Sequence, residues 1–320
     1  GTAPAEVLGL DARRQGTYDL GNPHLVLLGS ASDLAGVGPD HARLWCDRRR
    51  GIGADGLLLG VHAAEDGPAD DAAPDGADPN RADLVMTLYN ADGSRAEMSG
   101  NGIRCLAQAE AMRRGSESAD LSIITDGGRR TVTVRPDPRG AAGTVWASVD
   151  MGPAKPGPEP DVATVEDLSG TAPAEVLGLD ARRQGTYDLG NPHLVLLVDD
   201  PEAVDLVAAG SLHEASYSHG INVHFVAPAP GEPDAMAMRV WERGAGVTEA
   251  CGTGAVAVAR AAHDWGLVGT RVVVHMPGGD VEVEVGDPMT LIGPATYVGT
   301  VELPELSAPS DPPVRPGGAS

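Results

Sequence analysis

Short runs of apolar and β-branched residues dominate this chain, and Gly, Pro, Asp and Asn separate them as they usually separate strands. The runs predict strands at residues 57–61, 84–88, 121–125, 131–135, 145–149, 194–198, 221–226, 236–240, 271–275, 281–285 and 297–303. Apolar residues at helical spacing predict helices at residues 41–48, 103–113, 202–209 and 255–265. This mixture of strands and helices predicts an α+β fold.

Two glycine-rich blocks, which begin at residues 90 and 242, are related by a constant offset of 152 residues. The letters NADGSRAEMSGNG at residues 90–102 align with ERGAGVTEACGTG at residues 242–254, with glutamate and glycines in register. Each block follows a predicted strand and opens an Ala-rich helix. The repeat predicts two similar α+β halves that face each other across a cleft.

A second repeat is identical over 28 residues, because residues 1–28 and 170–197 carry the same letters. A perfect copy of this length indicates a recent recombination, an assembly error or an engineered gene. The second copy continues smoothly into the following residues, whereas the first changes abruptly at Gly29. We therefore interpret residues 1–28 as a transplant of residues 170–197 that displaced the true start.

Composition narrows the class of protein further. The net charge of −23 over 320 residues opposes binding to nucleic acid or to anionic membranes. Three widely spaced cysteines and the absence of a membrane-length apolar run predict a reduced, cytoplasmic protein without disulfides. Residues 63–81 and 304–320 have too little apolar content to pack, so they are predicted as a loop and a disordered tail.

The two glycine-rich turns predict an anion site. Glycines allow a tight turn that exposes several backbone N–H groups at a helix start. Two helix N-termini that point into one cleft suit a carboxylate. One such turn alone is weak evidence, but two matched copies favour ligand binding.

Cys251 stands at the predicted N-cap of the second of these helices. The helix dipole there predicts a lowered thiol pKa and a thiolate near neutral pH. Most unpaired cysteines are instead inert small apolar residues. This packing role fits Cys46 and Cys105 better than Cys251, since each of them lies inside a helical apolar pattern.

The blocks NADGSRAEMSGNGIRC (residues 90–105), GNPH (190–193), WERGAGVTEACGTGA (241–255) and RRRGIGADG (48–56) resemble the signature blocks of diaminopimelate epimerases, in the family's order. The resemblance covers about residues 31–303. It implies two pseudo-symmetric halves, each a β-barrel-like sheet around a central helix. It also implies inversion of an α-carbon by two cysteines, one in each half, with no cofactor.

The sequence departs from the family at the first of these cysteines, where it has Ser99. A hydroxyl at a helix start is a good N-cap and a weak base. Cys105 lies six residues farther along, about 9 Å of helical rise, which is too far for the same role. Related branches of this fold use Ser or Thr opposite one Cys, so an active Ser99/Cys251 pair and a purely structural Ser99 both remain open.

The resemblance assigns the remaining site residues one by one. His193 and Glu242 match residues beside the cysteines that tune their protonation. Asn22, from the duplicated segment, is expected near the slot of a lost substrate-binding asparagine. Including it, the expected substrate contacts are Asn22, Asn90, Gly100, Asn101, Asn191, Asn222, Arg243, Gly252 and Thr253. Taken singly, turn or strand-end roles explain several of them equally well.

No cofactor or metal is expected. A pyridoxal enzyme needs a Schiff-base lysine, and the single lysine, Lys155, lies in a proline-flanked run that suits this role poorly. The histidines outside the matched blocks show no metal-ligand spacing.

We expect an N-terminal half over residues 1–150, to which a strand at about 295–303 returns, and a C-terminal half over 151–294. The function implied is interconversion of LL- and meso-diaminopimelate. Two alternatives are an epimerase or dehydratase for another amino acid, such as a hydroxyproline, and an amino-acid-binding protein inactivated by Ser99 or by the transplant. The expected partner is a small amino-acid substrate. The family tends to form homodimers, although no pattern here requires one.

Overall fold

The computed structural model describes residues 14–18, 22–63, 82–161 and 181–303. The predicted loop after Ala63 and the predicted tail at 304–320 lie outside the described residues, as do parts of both duplicated segments. Within the described ranges, four α-helices accompany seventeen strands that form one sheet.

The first half of the chain contains strands β1 to β9 and helices α1 and α2. The strands are β1 Arg14–Tyr18, β2 His24–Gly29, β3 Gly56–His62, β4 Leu84–Asn90, β5 Arg95–Ala96, β6 Ala119–Thr125, β7 Gly128–Pro136, β8 Thr144–Gly152 and β9 Lys155–Pro156. The helices are α1 Pro39–Trp45 and α2 Gly100–Arg113.

The second half contains strands β10 to β17 and helices α3 and α4. The strands are β10 Arg183–Asp188, β11 Pro192–Leu197, β12 Asn222–Pro228, β13 Ala235–Glu242, β14 Gly246–Thr248, β15 Arg271–Met276, β16 Gly279–Glu284 and β17 Met289–Thr300. The helices are α3 Leu206–Ala215 and α4 Gly252–Asp264.

The two halves repeat one strand topology. In the first, β2 pairs parallel with β3, β3 antiparallel with β4, and β4 parallel with β6. In the second, β11 pairs parallel with β12, β12 antiparallel with β13, and β13 parallel with β15. The prediction of an α+β fold with two pseudo-symmetric halves is confirmed.

The last long strands of the halves join them. Strand β17 pairs antiparallel with β8, and the Oγ1 atoms of Thr144 and Thr296 lie 2.9 Å apart at one end of this ladder. The end of β17 pairs with β1 in the first half, and β9 pairs with β10 in the second. Each half therefore receives a strand from the other.

Helices α2 and α4 form the centres of the two halves. Every residue from Gly100 to Ala111 is buried in α2, and α4 is buried from Gly252 to Ala259. Glycine is required where strand β3 passes close to α2. A β-carbon on Gly60 of β3 would lie only 2.6 Å from Leu106 Cδ1 of α2.

The duplicated segment is part of the core in both places. Leu25, Val26, Leu27 and Leu28 are all buried, and β2 lies between β1 and β3. In the second half β11 lies between β10 and β12 in the same way. The first copy thus completes the first half of the sheet.

Two predicted elements differ from the structure. The single helix expected at residues 202–209 is a 3-10 turn at Pro201–Ala203 followed by α3, because Asp205 ends the turn and caps the new helix at Ala208 N, 3.1 Å away. The strand expected at residues 297–303 begins earlier, at Met289, and ends at Thr300. Its first part contains Gly293 and Pro294, which obscured the strand pattern.

Candidate functional site

One cavity of about 690 Å³ lies where the two central helices begin. Strands β4 and β13 end at its wall, and the loops before β2 and β11 each contribute an asparagine. The predicted site residues that line it are Asn22, Asn90, Ser99, Gly100, Asn101, Asn191, Asn222, Glu242, Arg243, Cys251, Gly252 and Thr253. The structure therefore brings together every predicted site residue except His193.

The helix starts meet almost head to head. A β-carbon on Gly100 would lie 3.1 Å from Gly252 Cα, and one on Gly252 would lie 3.0 Å from Gly100 Cα. Only glycine fits at this close approach. The starts of both helices consequently line one cavity, where their first N–H groups can bind an anion.

Ser99 is the N-cap of α2. Its backbone is extended, with φ −138° and ψ 120°, and its Oγ accepts a hydrogen bond from Gly102 N at 3.0 Å. The predicted capping role is therefore present. Two residues after Ser99, Asn101 Oδ1 accepts a hydrogen bond from Nη2 of the fully buried Arg104 at 3.0 Å.

Cys251 is the matching N-cap residue of α4. Its Sγ lies 3.6 Å from Thr253 Oγ1, and the thiol also hydrogen bonds with Glu242. Burial and the adjacent Glu242 charge raise the thiol pKa well above its ordinary value. The predicted lowering is wrong because desolvation and a neighbouring carboxylate outweigh the favourable effect of the helix start.

Glu242, the last residue of β13, pairs with this thiol. Burial raises the pKa of its carboxyl group, and hydrogen bonds from Thr248 and Cys251 oppose the shift. Thr248 Oγ1 donates to Glu242 Oε1 at 2.5 Å. A carboxyl with a raised pKa beside a thiol with a raised pKa can pass one proton between them.

The two asparagines from the duplicated segments occupy matching places. Asn22 Nδ2 donates to Asp55 Oδ2 at 3.2 Å, and Asn191 Nδ2 donates to Thr253 Oγ1 at 3.4 Å. Asp55 also pairs with Arg48, which lies at the mouth of the cavity. The first copy of the segment thus supplies a cavity-lining amide.

Arg243 begins the turn after β13 and is oriented by Asn222. Asn222 Oδ1 accepts from Arg243 N at 3.0 Å, and Asn222 Nδ2 donates to Pro192 O at 2.9 Å. The Arg243 guanidinium is partly exposed and lies 3.7 Å from Glu97 of the opposite half. A cation of this kind can bind a carboxylate in the cavity.

His193 is not beside either N-cap. It is fully buried behind the cavity wall, with Nε2 2.9 Å from Asn191 Oδ1 and Nδ1 2.8 Å from His224 Nε2. Burial, helped by His224 and Arg243, lowers its pKa well below the ordinary value, so it is neutral. The expected position is corrected: His193 supports Asn191 rather than contacting the reactive residues.

Several lining residues were not predicted from the sequence, among them His24, Arg48, Asp55, Glu97 and Glu249. His24 could have been found by symmetry, because it occupies in the first copy the position of His193 in the second. The two glutamates also match each other in the glycine-rich repeat. Arg48 and Asp55 lie in the block that carried the family resemblance, without having been singled out.

The described parts of the chain contain no group of three or more His, Cys, Asp or Glu residues arranged to hold a metal ion. Within the same residues, none of the helices has the length and hydropathy needed to span a membrane.

Comparison with known sequences gives a consistent result. A family model described as diaminopimelate epimerase matches residues 16–156 and 185–298. A diaminopimelate epimerase of Synechococcus elongatus is 36% identical over 297 residues, which cover 89% of this chain and 96% of that protein. One of Corynebacterium glutamicum strain R is 38% identical over 264 residues, covering 81% and 86%.

Comparison with solved structures gives the fold alone, because the sequence identities are low. A Bacillus anthracis phenazine biosynthesis protein of the PhzF family superposes with a TM-score of 0.65 at 15% identity, covering 92% of this chain and 100% of that one. A hydroxyproline epimerase from Agrobacterium vitis superposes with a TM-score of 0.61 at 16% identity, covering 91% of each chain.

Proposed function

The chain belongs to the diaminopimelate epimerase family, and we propose from this premise that the cavity described above inverts one α-carbon of diaminopimelate. Membership carries the function of an isomerase that interconverts the LL and meso forms in lysine biosynthesis. The observation that carries the proposal is the meeting of two helix N-termini, flanked by Ser99 and Cys251, in one cavity.

The helix starts hold the α-carboxylate in this proposal. An α-proton is a poor acid, because its removal places charge on carbon and the adjoining carboxylate. N–H groups of α2 and α4 lie at the position where that charge develops, and preorganised donors of this kind stabilise it. Side-chain groups then perform the proton transfers without a cofactor.

Cys251 and Ser99 stand on opposite sides of the helix junction in this scheme. The Cys251 thiol, coupled to Glu242, delivers or removes a proton on one face of the α-carbon. Ser99 occupies the position that serves the other face. Two groups on opposite faces produce inversion, whereas one group alone returns the proton with retention.

Arg243 selects the distal end of the substrate. Its guanidinium can bind a second carboxylate with two parallel hydrogen bonds, and Asn222 fixes the backbone from which it projects. A hydroxyproline has no second carboxylate to occupy this cation. The arrangement therefore favours diaminopimelate over the hydroxyproline alternative.

The experiment is NMR of LL-diaminopimelate with the protein in deuterated water. We expect α-deuterium exchange together with meso product, and a loss of at least about 100-fold in Cys251→Ser, as expected for removal of an acid/base group. Ser99→Cys is expected to turn over at least as fast as the parent. Binding of the substrate without exchange in all three proteins would contradict the proposal and identify an amino-acid-binding protein.

We also propose a cytoplasmic location and a homodimer. The three cysteines, all buried and free of disulfides, are consistent with a reducing compartment. The dimer is the tendency of the family, and sedimentation velocity of the purified protein tests it directly.

A further inference from the structure

We propose that His24 is the acid/base residue of the first-half face, where it exchanges a proton with the Ser99 hydroxyl. The inference rests on the proposed epimerase function and adds a residue to it. His24 begins β2, lies in the first copy of the duplicated segment and lines the cavity.

The hydrogen bonds of His24 fix which ring nitrogen is free. Its Nδ1 lies 3.0 Å from the carbonyl oxygen of Asn22. A carbonyl oxygen only accepts, so Nδ1 carries the hydrogen and Nε2 carries a lone pair. This is the tautomer and orientation that a general base requires.

The free Nε2 points toward the start of α2. A β-carbon placed on Gly102 would lie 3.2 Å from His24 Nε2 and 3.2 Å from Ser99 Cβ. Gly102 is also the residue whose N–H binds Ser99 Oγ, at 3.0 Å. The imidazole and the Ser99 side chain therefore flank the same glycine, together with Leu58, whose Cδ1 lies 3.2 Å from the same point.

The pKa shifts of His24 and Cys251 define one resting protonation state of the site. Burial lowers the pKa of His24 to about 4, although the hydrogen bond to Asn22 opposes this shift, and the Arg104 charge adds a smaller lowering. The pKa of Cys251 is raised. At neutral pH the site thus holds a neutral imidazole on one face and a thiol on the other.

The proton transfers balance from this form. Ser99 Oγ takes the α-proton while its own proton passes to His24 Nε2, which becomes an imidazolium. The Cys251 thiol gives its proton to the opposite face of the carbanion and becomes a thiolate. The reverse reaction starts from imidazolium and thiolate, and no oxidant, reductant or co-reactant is needed.

The pseudo-symmetry explains why the first face needs a histidine. Cys251 has Glu242 at the end of β13, but the matching residue at the end of β4 is Asn90, which cannot accept a proton. Asn90 Nδ2 donates to Ser94 Oγ at 3.0 Å. Among the titratable side chains lining the cavity, His24 is the one whose free nitrogen points toward Ser99.

The test is a double-mutant cycle on epimerisation of LL-diaminopimelate in deuterated water. His24→Phe is expected to lower kcat at least about 100-fold when residue 99 is serine. In the Ser99→Cys background the same change is expected to cost less than about 10-fold, because a thiol with an ordinary pKa of about 8.5 depends far less on a base. Equal losses in both backgrounds would show a merely structural histidine and overturn the proposal.

A second measurement does not depend on activity. ¹⁵N NMR of the imidazoles in the unmutated protein is expected to show His24 protonated at Nδ1 alone, and Ser99→Ala is expected to move its Nε2 resonance. A proton on Nε2, or an unmoved resonance, would overturn the proposal. His275→Gln, remote from the cavity on β15, is the control that leaves kcat and the His24 signals unchanged.

Failure of the proposed epimerase function and failure of the proposed role of His24 give different results. A parent protein that binds diaminopimelate but never exchanges its α-proton contradicts the proposed function, whatever the His24 spectrum shows. A parent that epimerises normally, with His24→Phe equally active and similar in melting temperature, contradicts the role of His24 alone.

Discussion

His24 and His193 occupy the same position in the two copies of the duplicated segment, yet their surroundings differ. His24 lines the cavity with Nε2 free, whereas His193 is fully buried between Asn191 and His224. Twenty-eight identical residues therefore produce two environments. The cause must lie in the strands against which the two copies pack.

Two of the differences between the paired strands β3 and β12 explain the two environments. His24 lies opposite Gly56, whose missing side chain leaves room for the imidazole, while His193 lies opposite Asn222. Two register positions along β12 from Asn222 lies His224, and the matching residue in β3 is Leu58. The comparison teaches that the environment of a repeated strand depends on the strands beside it as well as on its own sequence.

Deleting the first copy of the duplicated segment is expected to have the largest effect on stability. A chain beginning at Gly29 lacks β1 and β2, including four fully or almost fully buried residues over 25–28. Each buried side chain contributes about 1.5–3 kcal/mol, so the loss approaches the whole stability of an ordinary domain. We expect no cooperative urea unfolding by circular dichroism. An unchanged unfolding midpoint would show that the first copy is not a core strand.

The next test replaces the second glycine at the start of each central helix by alanine and compares the two losses of stability. A β-carbon on Gly254 would lie 2.3 Å from His224 Cε1, whereas on Gly102 its nearest neighbours lie at 3.2 Å. We expect Gly254→Ala to cost about 3 kcal/mol of unfolding free energy and Gly102→Ala about 1 kcal/mol or less. Paired urea titrations measure both. Equal costs would mean that His224 does not constrain α4 as described.

Acid should lower the stability of the folded protein, because each half contains a buried histidine with a lowered pKa. Burial lowers the pKa of His24 to about 4 and that of His224 to about 3. The unfolded chain binds these protons near pH 6.5, so folded stability falls as pH decreases below 6.5. From pH 7 to pH 5 each residue contributes a loss of about 2 kcal/mol.

Urea titrations at the two pH values measure this loss. His224→Leu, which gives the second half the residue of the first, is expected to remove its share of the pH dependence. The same pH slope in this variant and in the parent would show that His224 is not buried in its neutral form.

The smallest expected effect concerns the ion pair across the cavity. Glu97 and Arg243 are both partly exposed and 3.7 Å apart, so their pairing is worth at most about 1 kcal/mol. Glu97→Gln frees Arg243 for the substrate and is expected to lower KM by about 5-fold or less, with kcat unchanged. The matched Glu249→Gln should leave KM unchanged, and an increase in KM in Glu97→Gln would contradict the competition.

The sequence predicted the repeated parts of this molecule best. The glycine-rich blocks placed both central helices and both N-caps, because glycine, a capping residue and an Ala-rich pattern are local signals. The strands β5, β9 and β14 were missed, since two or three residues carry no periodicity. Strands β1 and β10, which share the letters RQGTY, were missed because they contain no apolar run. The break before α3 depended on one capping aspartate within an otherwise helical pattern.

The chemistry of the site was harder to predict from the sequence than the fold. The sequence placed Cys251 at a helix start but not beside Glu242, and the carboxylate and the burial decide the direction of its pKa shift. It likewise assigned His193 to the reactive centre, although the structure brings the other copy of that histidine to the cavity. Both errors concern which side chains meet across the sheet, which no local pattern encodes.

The contact between Gly100 and Gly252 has a consequence for mutational tolerance. Each glycine occupies the volume that a side chain on the other would need, and the atoms that the two glycines present to each other are backbone. No enlargement of one can therefore be offset by trimming the other, as is common between neighbouring core side chains. In a saturation library these two codons should be intolerant separately and equally, with no compensating pair recovered.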